Sequence, residues 1–406
     1  MNNTFFRTMV LMAVGWIALN GLAQGIDMQA HVASDEGKAA YTAYLQKQAA
    51  YYTGNLIYDS LMTLNDAQLF GRLNALMGTT CRLGGGGFSY NSLRWDYVNV
   101  DRDLNTQGNI IGYYDGQSMN GTWDGGTTYN REHTWPQSKG ASKNIAMGFD
   151  MQSVRPASTA INSDRGNVAY GESGSYYDPN DVAINNPLYR ASNNGTYRGD
   201  AARVILYDYL VYGQYGGYQN ALYNGNAQLL DKLGANGVFE SLMVMLKWHM
   251  QDPPSLTEMV RNDGAQNYQG NRNPFIDFPE IAMLILKNNA NVTSYPVNYS
   301  PSAIVQPHYD YTTPAGFVCY VSAPDGSHPA NLSVTGAGYL YDSTLGRLTI
   351  TNVSGAVNIS VSGLPQGIEE TTETPTVTKY FRNGRLVIVK DGTEFDVLGN
   401  ELKIEN

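Results

Sequence analysis

Apolar positions between residues 30 and 80 recur at helical spacing, as in Leu56, Ile57, Leu61 and Leu64 and then Leu69, Leu73 and Leu76, which predicts a helical lead-in. Gly84 to Gly87 interrupts that pattern, and residues 88–130, rich in Gly, Asn, Asp and Tyr, predict strands and loops. Residues 199–213 and 238–250 return to helical spacing without an internal Gly or Pro and predict two core helices. The apolar run Ile281 to Leu286, just after Pro279, predicts the last helix of this region. Beyond about 296 the texture changes to short alternating runs, such as Gly338-Tyr-Leu-Tyr and Leu348-Thr-Ile-Thr-Asn-Val, which predict a small all-β module. Residues 367–378 are polar and read as a linker, and 379–403 alternate again around the turns Asn383-Gly384 and Asp391-Gly392.

Length and charge narrow the classes. The 406 residues suffice for one large domain and something smaller. With 26 basic and 36 acidic residues the net charge is −10, which weighs against coating nucleic acid by bulk charge but not against an enzyme with a local basic groove. Residues 128–168 supply such a locality, with Arg131, Lys139, Lys143, Arg155 and Arg165 against Glu132, Asp150 and Asp164. Cys81 and Cys319 are too few for a disulfide framework or a cysteine zinc site, and the five histidines leave little choice of histidine chemistry. At the N-terminus, Arg7, the apolar stretch Met9 to Ala18 and Gly21-Leu22-Ala23 read as a secretory signal peptide over 1–23. That apolar stretch is well short of the ~20 residues a bilayer requires, so no stable membrane insertion is expected.

The densest chemistry lies in Tyr129-Asn-Arg-Glu-His-Thr-Trp-Pro-Gln-Ser-Lys139. In an extended backbone Glu132 and His133 point to opposite faces and serve different jobs. If the chain from Ala157 onward is helical, Asn162 and Arg165 share a face. Glu132 and the Asn162 amide oxygen fit the sparse protein shell of Mg²⁺, His133 suits a general base, and Arg165, Arg155 or Arg131 could grip phosphate. The same residues read equally well as a buried Glu–Arg pair beside a structural histidine. His249, seven residues after Leu242, reads as a core histidine, and Asn271-Arg-Asn-Pro-Phe as a brace for the site. Tyr113, Tyr114, Tyr129 and Tyr170 are candidates for stacking on unpaired bases or for packing.

Asn-Arg-Glu-His-Thr-Trp-Pro-Gln-Ser (130–138), Arg-Pro-Ala (155–157), Asn-Ser-Asp-Arg-Gly-Asn (162–167), Arg-Gly-Asp-Ala-Ala-Arg (198–203), Lys-Trp-His (247–249) and the stretch 261–277 together resemble the bacterial endonuclease I family. That family belongs to the ββα-metal, or His-Me finger, nucleases. The resemblance covers about 85–290 and implies His133 as general base, with Glu132 from a strand and Asn162 from a helix holding Mg²⁺, or Mn²⁺ or Ca²⁺ in its place. It further implies cleavage of DNA, and in some members RNA, with little sequence preference and 5′-phosphate products. Helix geometry sets Arg165 at the scissile phosphate, and Arg131, Arg155 and Asn167 are assigned to substrate binding. Two positions depart from the family pattern: Asp150-Met-Gln-Ser153 where many members read Asp-Leu-His-Asn, and Asp277-Phe-Pro279 where many read Asp-His-Pro.

The expected fold is α+β, a mostly helical nuclease domain with a ββα-metal core over 24–295, then an accessory β module over 296–366 with a sandwich-like build. A linker at 367–378 leads to a tail at 379–406 that resembles Bacteroidetes secretion signals and would engage an export machinery. The expected protein is a secreted, metal-dependent endonuclease acting on DNA or RNA, at the cell surface, outside it or in the periplasm. Two alternatives are an extracellular ribonuclease of the same family and a secreted binding or adhesion protein with a degenerate nuclease domain.

Overall fold

The helical lead-in divides into α1 (Asp35–Asn55) and α2 (Asp66–Thr80). The computed structural model describes residues 35–55, 64–167, 170, 189–190, 195–196, 198–215, 218–219, 242–300, 304–322, 327–362, 378–382, 385–390 and 393–395. The expected signal peptide, the helical positions Leu56 to Leu61, the greater part of the linker and the two turns of the tail lie outside those residues. A capping box starts α2: Asn65 accepts from the Gln68 amide at 2.9 Å while the Gln68 side chain accepts from the Asn65 amide at 3.2 Å. After α3 (Leu93–Val100) come a short hairpin, β1 (Asn109–Ile111) with β2 (Ser118–Asn120), and then β3 (Tyr129–His133).

Strand β3 pairs antiparallel with β4 (Val154–Ser158), and α4 (Thr159–Arg165) follows at once and packs on both strands. The helix starts two residues later than the sequence suggests, because Pro156 and Ala157 remain in the ladder and Ser158 serves as the N-cap. Small pairs, β5 (Tyr189–Arg190) with β6 (Gly195–Thr196) and β7 (Gln214–Tyr215) with β8 (Tyr218–Gln219), flank α5 (Arg198–Tyr212). This predicted core helix is buried at every residue from Gly199 to Tyr212. Among its buried ionisable groups, Arg203 grips both oxygens of Glu258, at 2.8 and 2.5 Å, and Asp208 accepts from the Ser153 hydroxyl.

Helices α6 (Leu242–Gln251), α7 (Leu256–Gln269), α8 (Pro274–Asp277) and α9 (Ile281–Leu286) complete the helical part. A Ser255–Glu258 capping box starts α7, and Gly270 ends it at φ +95°, where a Cβ would collide with the Thr80 carbonyl. The sequence 271–273 is buried and tied into the helical part. Arg272 is fully buried and donates twice to Asp277, at 2.9 and 2.8 Å, and once to Asp263 at 2.7 Å. Asp277 also accepts from Tyr44 and Tyr52 of α1, both at 2.9 Å, and its neighbour Phe278 packs edge-on against Tyr52.

The later β-rich region holds β9 (Tyr295–Tyr299), β10 (Ile304–Gln306), β11 (Tyr311–Thr312), β12 (Val318–Ser322), β13 (Asn331–Thr335), β14 (Gly338–Asp342), β15 (Arg347–Thr351) and β16 (Val357–Ser362). They form two four-stranded sheets, ordered β10-β12-β15-β14 and β11-β9-β16-β13, with β9 and β16 the parallel pair. Val305, Cys319, Val321, Leu348 and Ile350 of one sheet and Val297, Val357 and Ile359 of the other share a buried cluster with the helices. A second buried cluster joins Tyr320 of β12 to Tyr41 and Tyr44 of α1 and to Leu256, Met259 and Ile276. The chain divides into compact units 1–364 and 365–406, and the second holds a three-stranded antiparallel sheet of β17 (Thr378–Arg382), β18 (Arg385–Lys390) and β19 (Thr393–Phe395).

Candidate active site

The site rests on β3. Alternation along the strand sends Glu132 to one face and Arg131 and His133 to the other, as the extended reading requires. Glu132 is 2% exposed and accepts two hydrogen bonds on one oxygen, from Tyr114 at 2.5 Å and from Arg165 Nη1 at 3.0 Å, both to Oε1. Its Oε2 takes no hydrogen bond from the described residues. Burial pushes the Glu132 carboxyl above its ordinary range, and the Arg165 guanidinium and the Tyr114 hydroxyl pull it back. Tyr114 is fixed in turn by the Tyr170 hydroxyl at 2.7 Å.

Arg165 occupies a different place from the one expected of a residue that grips the scissile phosphate. It is 1% exposed, and besides Glu132 it donates to the carbonyls of His133 and Thr134, each at 2.9 Å. The guanidinium lies 4.7 Å over the Tyr170 ring. The buried Glu–Arg pair is thus present. Asn162, one turn before Arg165 on α4, is half-buried, and Asn167 is exposed just beyond Gly166.

On the opposite face, His133 is 7% exposed and its Nε2 lies 3.0 Å from the Gly148 carbonyl oxygen. A carbonyl only accepts, so Nε2 carries the hydrogen and Nδ1 the lone pair. Gln137 reaches toward Nδ1 at 3.4 Å from a more exposed position. Burial first, then the positive charges of Arg131 and Arg165, lower the His133 pKa to about 4 against the Gly148 bond, so the ring is neutral near pH 7. Gly148 has to be glycine, since a Cβ there would collide with the Ser142 carbonyl. Tyr90 covers both side chains of this face: its ring stacks 5.1 Å from that of His133, at 28°, and 3.8 Å below the Arg131 guanidinium.

The other candidates are spread through the core. Arg155 is buried with Nε 3.6 Å from Asp101, which Arg261 also contacts at 2.6 Å. Tyr113, Tyr114, Tyr129 and Tyr170 are all buried and pack rather than present faces to unpaired bases. His249 is a core histidine, fully buried, with Nε2 at 2.7 Å from the Pro279 carbonyl. In the departing stretch, Gln152 donates to Asn262 and Ser153 to Asp208, so each keeps a polar partner. Sequence reasoning missed Tyr90, Gly148 and Gln137; the last sits four residues after His133 in the same motif, whereas the other two carry no local signal.

Helices, the β3–β4 pair and a Glu–His dipeptide beside a short helix make up an α+β domain, and its residues 88–280 match the family model described as Endonuclease I. Over those residues the chain is similar to the endonuclease I family. It is 34% identical over 197 residues to an extracellular ribonuclease of Bacillus amyloliquefaciens and 32% identical over 197 residues to an extracellular ribonuclease of Bacillus subtilis (strain 168). In both cases the similarity covers 45% of this chain, and the chain spans 63% of the relative's length. No helix among the described residues is long and apolar enough to cross a membrane.

Proposed function

We infer that this chain is an exported, divalent-metal-dependent nuclease that hydrolyses phosphodiester bonds of nucleic acid with little sequence preference, leaving 5′-phosphate ends. The observation that carries this reading is the state of His133: a neutral imidazole whose Nε2 is committed to Gly148, which leaves the Nδ1 lone pair, approached by the Gln137 amide at 3.4 Å, to take a proton from the attacking water. Next to it in the chain, Glu132 keeps Oε2 outside its hydrogen bonds, and Asn162 adds an amide oxygen on the helix that packs against the hairpin. These are hard oxygen donors of the kind Mg²⁺ takes, and Mn²⁺ and Ca²⁺ accept the same set, so the residues fit the ion. When bound, the cation offsets charge developing on the phosphoryl oxygens. Arg165 acts through Glu132 by fixing its Oε1, while Arg131 and Asn167 remain the candidates for contact with the nucleic acid; the burial of Arg155 beside Asp101 removes it from that set.

The names of the two relatives favour a second reading, that RNA is the main substrate. They also support export, as does the signal-like N-terminus, with the tail 379–406 engaging the export machinery. The test is to incubate the purified protein with plasmid DNA and with a long RNA, each with Mg²⁺ and with chelator, alongside His133→Ala. Loss of either polymer should depend on metal and fall by about two to four orders of magnitude in the variant. Cleavage at the wild-type rate by His133→Ala would remove His133 from the mechanism.

A further inference from the structure

An alternating ladder of aromatic rings and guanidinium groups runs from the surface to the candidate base. Trp95 on α3 is 59% exposed, and Arg94 lies 4.7 Å over its ring. Arg94 also lies 5.6 Å over the ring of Trp123, in the loop before β3, and Arg131 covers that same ring at 5.0 Å. Arg131 then stands 3.8 Å over Tyr90, whose other contact is the ring of His133 at 5.1 Å. Five steps of this kind, on three separate segments of chain, place a solvent-facing indole on a continuous path to the histidine.

Charge along the path is uncompensated. Neither Arg94 nor Arg131 forms an ion pair with a carboxylate among the described residues, and the Arg131 guanidinium donates to the Tyr90 carbonyl and the Asn91 side chain. Both arginines also leave a buried Nε without a partner. A half-buried guanidinium without a counter-ion is costly in a chain with ten more acids than bases, unless an anion arrives with the ligand. A ligand that brings both flat π faces and negative charge satisfies both features at once, because bases stack on indole and on guanidinium planes alike.

We propose that Trp95, Arg94, Trp123 and Arg131 form a subsite for unpaired nucleobases and their phosphates, which leads a single strand toward His133. This rests on the nuclease reading above and adds to it a substrate class, single-stranded segments in preference to duplex. In a duplex the bases are already stacked on each other and offer no free face to Trp95.

The test is binding by the full protein in chelator, where nothing is cut, to three labelled probes at one salt concentration: a short single strand, its duplex and an abasic strand of equal length. Trp95→Ala should weaken the single strand about tenfold and the other two by less than about twofold, and Trp95→Phe should recover part of the loss. Leu340→Ala, which truncates another exposed apolar side chain, on β14, should change none of them. Equal loss on all three probes, or no loss on any, overturns the subsite. Cleavage is scored separately: a protein that cuts while Trp95→Ala binds the single strand normally sinks the subsite and leaves the nuclease reading standing. A protein that cuts neither polymer sinks the nuclease reading itself.

Discussion

Arg165 and Glu132 form a buried ion pair, Nη1 to Oε1 at 3.0 Å, and the same guanidinium ties down the carbonyls of the two residues that follow Glu132. One side chain therefore fixes both the carboxylate and the backbone that carries His133. Arg165→Met leaves Glu132 buried without its cation and should cost about 3–5 kcal/mol in denaturant unfolding. Arg165→Lys keeps the charge but cannot reach three acceptors at once, and should fall between the two. A Met variant as stable as wild type would show that the pair carries no structural weight.

Tyr114 acts on Glu132 from the other side, donating to the same oxygen. Tyr114→Phe removes one orienting bond while keeping the ring, and the Mg²⁺ concentration for half-maximal cleavage should rise by about tenfold or more. Glu132→Gln and Asn162→Ala should raise it further. A metal titration unchanged in all three variants would mean that the ion is held elsewhere.

His249 offers a pH-dependent measurement away from the candidate site. Burial lowers its pKa to about 3, while the unfolded chain takes up a proton near the ordinary value of about 6.5. Above that value both states are neutral and stability does not depend on this group. As pH falls toward about 3, the unfolded state binds a proton the fold refuses, and stability is lost. His249→Gln removes this contribution, so the gap between wild type and variant should narrow by up to about 1.4 kcal/mol per pH unit between about pH 6 and pH 4. Urea unfolding across that range would show a constant gap if the assignment were wrong.

Asp277 collects Arg272, Tyr44 and Tyr52 in one buried hub. Asp277→Asn leaves Arg272 with a neutral partner there and should cost about 3 kcal/mol by chemical denaturation. Cleavage by the surviving folded fraction should change little, which an active-site titration would separate from loss of fold.

The elements easiest to read in the sequence are those whose periodicity is internal, such as α5, α6 and α9. The Glu132–His133 dipeptide was legible because strand alternation is a local rule. Arg165 shows where such rules stop. Spacing placed it on the Asn162 face of a helix, but only the pairing of β3 with β4 shows that this helix turns Arg165 inward onto Glu132 rather than outward to a phosphate. Tyr90 and Gly148 were invisible for a related reason: one lies 43 residues before His133 and the other 15 after it, and neither motif nor period connects them. The tyrosines were ambiguous because a ring suits a core and a base equally well, and burial decides between them.

The first helix reaches Thr80 of α2 through Tyr51, but two of its other tyrosines bond far downstream. Tyr44 and Tyr52 bond to Asp277, 233 and 225 residues downstream, and Tyr41 and Tyr44 pack with Tyr320 of the β-rich region. A chain emerging from its N-terminus therefore cannot seat this helix until nearly all of the later helices and strand β12 have appeared. A chain cut short before Asp277 therefore leaves the Tyr44 and Tyr52 hydroxyls without the carboxylate that holds them.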